Sequence, residues 1–364
     1  MTARTRRGLL RGRCAVPALA LLATASAAAC NGDGASPEAT PGSPVLGTPA
    51  TTVTPRAASP TAERAPLIQE YALPAGGFPH SIAVDAEGRL WFTELFGNRL
   101  GRFDPEAETF QEWTVPRPNA QPHGIAVGPD GAIWVTYIGV SALARFDPLT
   151  ERFEEVSIPT PNSGPHSVAF DAEGGLWFTE SRGDRIGRLD PASGAIVEYA
   201  TLTAGGIPYG IAIAPDGAVW YALLRGHAIG RVDPVSGAVT QFEPPTPRQG
   251  ARRITADAEG RLWFTEYNAS NLGVFDPVTE TFREFPLPTP DARPYAITVA
   301  RDGRIWISEE AGNKIARFDP ATETWEEFPI PSPQAACRTI VEDAEGTIWC
   351  PESGPSVLLR LNPP

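Results

Sequence analysis

The feature that most constrains the fold of this chain is a unit of 43 residues that recurs seven times without a net insertion. Tryptophan marks the unit most clearly, because seven of the nine tryptophans keep this spacing: Trp91, Trp134, Trp177, Trp220, Trp263, Trp306 and Trp349. A second register, eleven residues earlier, contains His80, His123, His166, Tyr209, Arg252, Tyr295 and Arg338. A fixed period of this length indicates a repeat architecture.

Each unit contains four short segments typical of β-strands. In the second unit, residues 123–127 alternate small and apolar side chains, and a turn with glycine at position 131 follows. Further strand-like segments cover residues 132–137, 142–147 and 153–158. Four antiparallel strands per unit, repeated seven times, predict an all-β, seven-bladed β-propeller. A tryptophan conserved in every copy is expected to pack between blades.

The two ends of the repeat region predict how the ring closes. The seventh unit stops after its third strand at Leu361, and residues 67–73 match the fourth-strand pattern of residues 110–116. The N-terminal strand should therefore complete the last blade, which leaves no long unpaired strand edge.

The first 66 residues have the composition of an export signal and a linker. Residues 1–29 are basic and then apolar, and they end in three alanines before Cys30, which predicts a signal peptide with Cys30 as a lipidated residue. Paired arginines in residues 5–10 also resemble a twin-arginine signal. Residues 30–66 are rich in Pro, Thr and Ala, which predicts a disordered tether before a propeller at residues 67–364. The expected location is outside the cytoplasm, as a cell-envelope lipoprotein or a secreted protein, with membrane contact only through the lipid anchor.

The net charge restricts the classes of molecule that the protein is expected to bind, and the cysteines raise the question of a disulfide. A formal net charge of -13 disfavours nucleic acid, whose phosphates an acidic surface repels. The expected partner is a small-molecule ligand or substrate in the central funnel of a monomer. Cys337 and Cys350 fall on neighbouring predicted strands, and both a disulfide and free thiols are compatible with the sequence.

The candidate site is the mouth of the central channel. The first strand of a blade lies innermost, so the histidine register should face the channel. The position three residues after each tryptophan ends the second strand, and it contains Glu94, Tyr137, Glu180, Leu223, Glu266, Glu309 and Glu352. Hairpin pairing predicts that His80 lies opposite Glu94, with both side chains at one mouth. His227 is off this register and is expected at the surface.

Two interpretations of this ring remain open. The histidines are either inherited copies with a structural role, or parts of a polar site where imidazole acts as base or ligand and carboxylates hold a divalent cation.

Several phrases resemble those of the streptogramin lyase (virginiamycin B lyase) family. They are Pro-His-Gly-Ile at 122–125, Leu-Trp-Phe-Thr-Glu at 90–94, 176–180 and 262–266, and Asn-Lys-Ile-Ala-Arg at 313–317. The resemblance implies a seven-bladed propeller and a magnesium-dependent lyase that opens a cyclic depsipeptide by elimination. In that chemistry a histidine removes the proton next to the ester carbonyl, and a metal held by glutamate polarises the carbonyl.

The resemblance places the family's catalytic histidine in the phrase that reads Arg-Pro-Tyr-Ala-Ile-Thr here, at 293–298, so that Tyr295 stands in its place. The accompanying glutamate is retained as Glu309, and Arg252 matches a substrate-contacting position. A tyrosine has an ordinary pKa of about 10 and needs a large downward shift to act as a base at neutral pH.

The candidate residues therefore fall into three groups. The catalytic candidates are His80, His123, His166 and Tyr295, and the substrate-binding candidates are Tyr209, Arg252 and Arg338. The candidate magnesium ligands are Glu94, Glu180, Glu266 and Glu309. Two functions remain open: a metal-assisted lyase that acts on a cyclic ester, and a non-catalytic propeller that binds a ligand or protein at the cell surface. A calcium-dependent lactonase of the gluconolactonase type is the third choice, because its Glu/Asn/Asp metal set is not evident.

Overall fold

The structure is a computed structural model that describes residues 67–363. The predicted signal peptide, the lipidation site Cys30 and the predicted tether lie outside these residues. All regular secondary structure in the described part is β-strand. That part accordingly contains no helix long and apolar enough to span a membrane.

Twenty-eight strands form seven four-stranded antiparallel sheets, numbered here as blades 1 to 7. Blade 1 contains β2 (Pro79–Val84), β3 (Leu90–Glu94), β4 (Arg99–Asp104) and β5 (Thr109–Thr114). Blade 2 contains β6 (Pro122–Val127), β7 (Ile133–Tyr137), β8 (Ala142–Asp147) and β9 (Arg152–Ser157). Blade 3 contains β10 (Pro165–Phe170), β11 (Leu176–Glu180), β12 (Arg185–Leu189) and β13 (Ile196–Ala200).

The remaining blades repeat the pattern. Blade 4 contains β14 (Pro208–Ile213), β15 (Val219–Leu223), β16 (Ala228–Val232) and β17 (Val239–Phe242). Blade 5 contains β18 (Ala251–Ala256), β19 (Leu262–Glu266), β20 (Asn271–Asp276) and β21 (Thr281–Pro286). Blade 6 contains β22 (Pro294–Val299), β23 (Ile305–Glu309), β24 (Lys314–Asp319) and β25 (Thr324–Pro329). Blade 7 contains β26 (Val341–Glu342), β27 (Ile348–Glu352), β28 (Val357–Leu361) and the N-terminal β1 (Ile68–Ala72).

The ring closes as the sequence predicts. Strand β1 pairs antiparallel with β28, from Ile68 opposite Leu361 to Ala72 opposite Val357. The same blade contains a disulfide between Cys337 and Cys350, whose Cα atoms are 5.8 Å apart. The structure thus decides the question that the sequence left open about these two cysteines.

The tryptophan register belongs to the core between blades. Trp91 of blade 1 has no exposed surface and packs in one cluster with Ile125 and Phe146 of blade 2. Its indole nitrogen donates to Asp85 Oδ2 at 2.8 Å, which satisfies its one polar group. Burying an aromatic side chain of this size stabilises the fold by a few kcal/mol, on the order of 2–3. The predicted structural role of this register is confirmed.

Six of the first strands have a β-bulge near their start, and in most blades a side chain at this bulge links the blade to the next. In blade 2 the pairing shifts between Pro122 and Ile125, which leaves the amide of Gly124 without a backbone partner. That amide donates to Thr136 Oγ1 at 2.7 Å, and the Thr136 hydroxyl donates to the carbonyl oxygen of His166 in blade 3 at 3.1 Å. The hydroxyls of Thr93, Thr179 and Thr265 make the same link. The Ser308 hydroxyl donates instead to the carbonyl oxygen of Cys337, one residue before Arg338. The threonine link fixes the backbone of the channel-lining residue in the following blade.

Candidate functional site

The channel-lining register converges on the propeller axis. The ring centroids of His80 and His123 are 3.8 Å apart, and those of His123 and His166 are 3.9 Å apart. The ring centroid of Tyr209 lies 3.6 Å from that of His166, and the Tyr209 hydroxyl lies 2.6 Å from the hydroxyl of Tyr295. The structure therefore brings together the predicted catalytic and substrate-binding residues of this register in one ring of contacts.

Three arginines occupy the other side of this ring. The guanidinium carbon of Arg252 lies 3.7 Å from the ring centroid of Tyr295, and that of Arg338 lies 5.1 Å from it. Arg253, the next residue in the chain, reaches across the channel, where its Nη1 donates to Ser167 Oγ at 2.6 Å. Its guanidinium carbon is 5.8 Å from the Tyr295 ring. We call Arg252, Arg253 and Arg338 the arginine cluster.

The arginine cluster changes the acidity of Tyr295. Burial raises the pKa of this fully buried phenol, but the nearby charges of Arg252, Arg253 and Arg338 outweigh it and lower the pKa to about 8. Burial raises the pKa of the neighbouring Tyr209 instead, and a negative charge on Tyr295 adds to that effect. Of the two hydrogen-bonded phenols, Tyr295 is the one that loses its proton first.

The three histidines of the ring are neutral near pH 7. Burial is the main cause that lowers the pKa of His123 to about 3, and the positive charges of the nearby arginines contribute. Burial also places the pKa of His80 and that of His166 well below their ordinary value. The Nδ1 of His123 lies 3.1 Å from the carbonyl oxygen of His166, so this nitrogen carries the proton and donates it. His227, expected at the surface, is half-buried, and its Nδ1 contacts Gln249 Oε1 at 2.9 Å.

The glutamate register does not face the histidines, and the predicted pairing of His80 with Glu94 is wrong. The residue opposite Glu94 in the hairpin is Pro79. Neighbouring side chains on a strand point to opposite faces, so this offset of one residue directs Glu94 away from the ring. It lies against Arg99 of the third strand and near Glu112 of the fourth.

The other glutamates of this register follow the same rule. They adjoin a fourth-strand glutamate in four blades, as the pairs Glu180 with Glu198, Glu266 with Glu284, Glu309 with Glu327, and Glu352 with Glu70. The fourth-strand partner accepts hydrogen bonds from the segment between blades, as in Ser332 to Glu70 at 2.8 and 2.9 Å. This environment gives the glutamates a role in joining blades.

Burial is the main reason that these carboxyls resist ionisation. It raises the pKa of Glu180, Glu266 and Glu352 to about 8, and the fourth-strand partner contributes to each shift. The pKa of Glu94 and that of Glu309 rise only to about 7. A hydrogen bond with Arg99 partly offsets burial at Glu94, and a hydrogen bond with Thr289, followed by the charge of Lys314, does so at Glu309. Glu352 has Val357 at the position of these cations, so its pair with Glu70 has no adjacent positive charge on that strand.

A further set of residues that contact the ring, not predicted from the sequence, lies directly after the end of the second strand. Tyr267 and Glu310 occupy this position in blades 5 and 6, and the Tyr267 hydroxyl donates to Glu310. Glu310 pairs with Arg338 at 3.3 Å, and the Arg252 guanidinium carbon lies 4.3 Å from the Tyr267 ring. Strand alternation was the available signal, because the residue after an outward-facing glutamate must face the channel.

The described residues fit magnesium poorly. No group of three or more His, Cys, Asp or Glu side chains within residues 67–363 is arranged to hold a metal ion. Glu309 adjoins Lys314 and Glu327, and Glu310 is already paired with Arg338. Positive charge from the arginine cluster also opposes a cation at the ring. No catalytic step is therefore assigned to a metal.

The carboxyl pair in the closing blade makes stability depend on pH. A carboxyl whose pKa is raised in the folded state binds its proton more tightly there, so it stabilises the fold at low pH. That contribution is lost as pH rises through about 8. We expect wild-type protein to lose stability between about pH 6.5 and about pH 8, and Glu352→Gln to lose measurably less. Urea denaturation at several pH values measures this, with the exposed Glu106→Gln as control. Identical slopes for wild type and Glu352→Gln would contradict it.

Comparisons with known proteins agree with the fold. The profile of the virginiamycin B lyase family matches residues 63–146 and 148–358. A streptogramin B lyase structure shares 30% identity and a TM-score of 0.77, over 81% of this chain and 97% of that one. A comparison with curated protein sequences gave no significant match.

Two further structures extend the comparison. A catalytically inactive histidine-to-alanine variant of the virginiamycin B lyase from Staphylococcus aureus, crystallised with quinupristin, shares 30% identity and a TM-score of 0.76, over 82% and 99% of the two chains. The extracellular domain of a hybrid two-component system from B. thetaiotaomicron shares the fold alone, with 21% identity and a TM-score of 0.65, over 82% and 42%. The chain belongs to the virginiamycin B lyase family.

Proposed function

We propose that this protein is an exported lyase that opens a cyclic ester or depsipeptide at the channel mouth, with Tyr295 as the general base. The observation that carries the proposal is the placement of the Tyr295 phenol at the ring position where the family resemblance expects a histidine, with the Arg252 guanidinium carbon 3.7 Å from its ring. The charge of Arg252 and its neighbours lowers the pKa of this phenol to about 8. Family membership supports the reaction class. The TM-score of 0.77 with a streptogramin B lyase supports a shared scaffold for it.

The proposed reaction is a β-elimination. The Tyr295 phenolate takes a proton from a carbon next to a carbonyl group of the substrate. The electron pair of that C–H bond forms a carbon–carbon double bond, and the bond between the β-carbon and the ester oxygen breaks. The ester oxygen leaves as part of a carboxylate, and the Tyr295 phenol later returns its proton to water. Proton removal by a positioned base contributes on the order of 10²- to 10⁴-fold to such a rate.

Base strength favours Tyr295 over the histidines. A general base works best when its pKa lies near the working pH. The pKa of His123, about 3, leaves that imidazole unprotonated but a weak proton acceptor. Tyr295 is a far stronger base and is partly ionised near neutral pH. The replacement of the expected histidine by tyrosine is therefore compatible with elimination chemistry.

Ring opening of a streptogramin B by the purified protein tests the proposal. Mass spectrometry should show a linear product of unchanged mass with a new double bond, whereas hydrolysis would add one water. The rate should rise with pH up to about 8, because the base must lose its proton. Tyr295→Phe should lower kcat by roughly a hundredfold or more, since it removes only the hydroxyl.

A ring-opening rate in Tyr295→Phe equal to that of wild type would rule out Tyr295 as the base. No turnover across a broad panel of cyclic esters would count against a lyase altogether.

A non-catalytic binding propeller is the second candidate. The full burial of Tyr295 favours it, because a base must reach the substrate. Saturable binding of the depsipeptide without ring opening would support this function. That binding should weaken in the double variant Arg252→Ala and Tyr295→Ala. Unchanged affinity in the double variant would place the ligand elsewhere.

We also propose that the protein is exported and carries a lipid anchor. The Cys337–Cys350 disulfide supports an oxidising compartment, since structural disulfides are rare in the cytosol. We expect Cys30 to carry the lipid that attaches the protein to the membrane. Cys30→Ala should move the protein from the membrane fraction to the soluble extracytoplasmic fraction. If the Cys30→Ala variant remains in the membrane fraction, the lipid anchor is wrong.

A further inference from the structure

The propeller axis has more positive than negative charge. Of the arginine cluster, only Arg338 has a carboxylate partner, Glu310 at 3.3 Å. Within the described part of the chain, no carboxylate lies within ion-pair distance of Arg252 or Arg253, whose polar contacts are with Tyr209 and Ser167. This excess stands out in a chain whose formal net charge is -13.

Other half-buried arginines of the same propeller have acidic partners. Arg188 pairs with Asp171 at 3.1 Å, and Arg261 pairs with Asp257 at 2.6 Å. Removing a cation from water without a counter-charge carries a desolvation penalty. A pair of arginines on the axis without a carboxylate partner is therefore unfavourable for folding alone, even with tyrosine rings stacked on Arg252. An anionic ligand would remove that penalty when it binds.

Arg252 and Arg253 have N–H groups that donate no hydrogen bond within the described residues. The Nε atoms of Arg252 and Arg253 are buried and have no acceptor among residues 67–363, and the same holds for Nη2 of Arg253. A guanidinium offers its N–H groups in a planar fork that matches the two oxygens of a carboxylate. Neutral histidines on the opposite side of the ring add no competing charge.

Space for a small oxyanion exists beside Arg253. Arg253 lines a cavity of about 150 Å³ together with five aliphatic side chains and five small residues that follow other ring positions: Ser81, Gly124, Ser167, Gly210 and Thr339. Arg252 precedes Arg253 in the chain and lies outside this lining. This volume corresponds to about five water molecules at the volume of liquid water. A carboxylate group with a short substituent fits within it.

We propose that Arg252 and Arg253 form an oxyanion site for the carboxylate that leaves when the ester bond breaks. This inference rests on the proposed elimination, in which the electrons of the broken C–O bond end on that carboxylate. The two guanidinium groups meet the new negative charge as it develops, close to the phenol that receives the proton. Arginine then supplies the charge stabilisation that the family resemblance assigns to a metal.

Binding of simple carboxylates to the full-length protein tests this site without any turnover. Isothermal titration calorimetry should show that acetate and benzoate bind, whereas neutral benzamide should not. Arg252→Gln should weaken benzoate binding about tenfold or more, because it removes charge-assisted hydrogen bonds. Arg252→Lys should restore part of it, and Arg283→Gln, an exposed arginine, should bind like wild type. Circular dichroism of each variant shows that the propeller is intact.

Several outcomes would overturn the oxyanion site. These are no heat of binding for either carboxylate, full affinity in Arg252→Gln, or binding of inorganic phosphate without binding of acetate or benzoate.

Kinetics separates this inference from the proposed function. If a cyclic ester is opened but benzoate neither binds nor inhibits, the lyase stands and the oxyanion site fails. If benzoate binds and no ester is opened, the site stands and the lyase assignment fails. Competitive inhibition of ring opening by benzoate, lost in Arg252→Gln, is the result that supports both.

Discussion

Closure of seven identical-length units around one axis is the constraint on which the rest of this structure depends. The pairing of β1 with β28 makes the ring continuous, and the fixed period of 43 residues gives every blade the same register. The residue at this inner-strand position is therefore carried to the axis in every blade, whether it follows proline, as in five blades, or Ala251 or Cys337, as in the other two. There it meets its counterparts from the other blades, as the 3.8 Å contact of His80 with His123 shows.

This geometry turns sequence divergence between blades into local chemistry. The blades that retain histidine produce a stack of buried, neutral imidazoles. Where arginine and tyrosine replace histidine, the same positions place positive charge beside a phenol, and the pKa of Tyr295 falls to about 8. Burial disfavours the charged form of histidine and that of tyrosine. The arginines favour only the charged form of tyrosine, because a phenolate is an anion whereas an imidazolium is a cation. A change from histidine to tyrosine therefore exchanges one potential base for another when the neighbouring blades change with it.

The sequence was sufficient to predict the fold, the closure and the ring, because period and alternation are properties of the chain itself. The orientation of the glutamates was not predictable in the same way. A bulge at Gly124 and its equivalents shifts the pairing by one residue, and the pairing of Glu94 with Pro79 follows from it. The acidity of Tyr295 also escaped prediction, because it depends on Arg252 and Arg338, each one repeat away, and on how closely they approach the phenol.

The most direct test of the account is an ultraviolet titration of tyrosinate absorbance. Wild-type protein should show one tyrosine that ionises near pH 8, ahead of the others, since burial raises the pKa of Tyr71, Tyr137, Tyr209, Tyr221 and Tyr267. That step should vanish in Tyr295→Phe and move toward the ordinary value of about 10 in Arg252→Gln. A wild-type titration with no step below about pH 9.5, or a step near pH 8 that persists in Tyr295→Phe, would contradict the central claim that the arginine cluster makes Tyr295 a base.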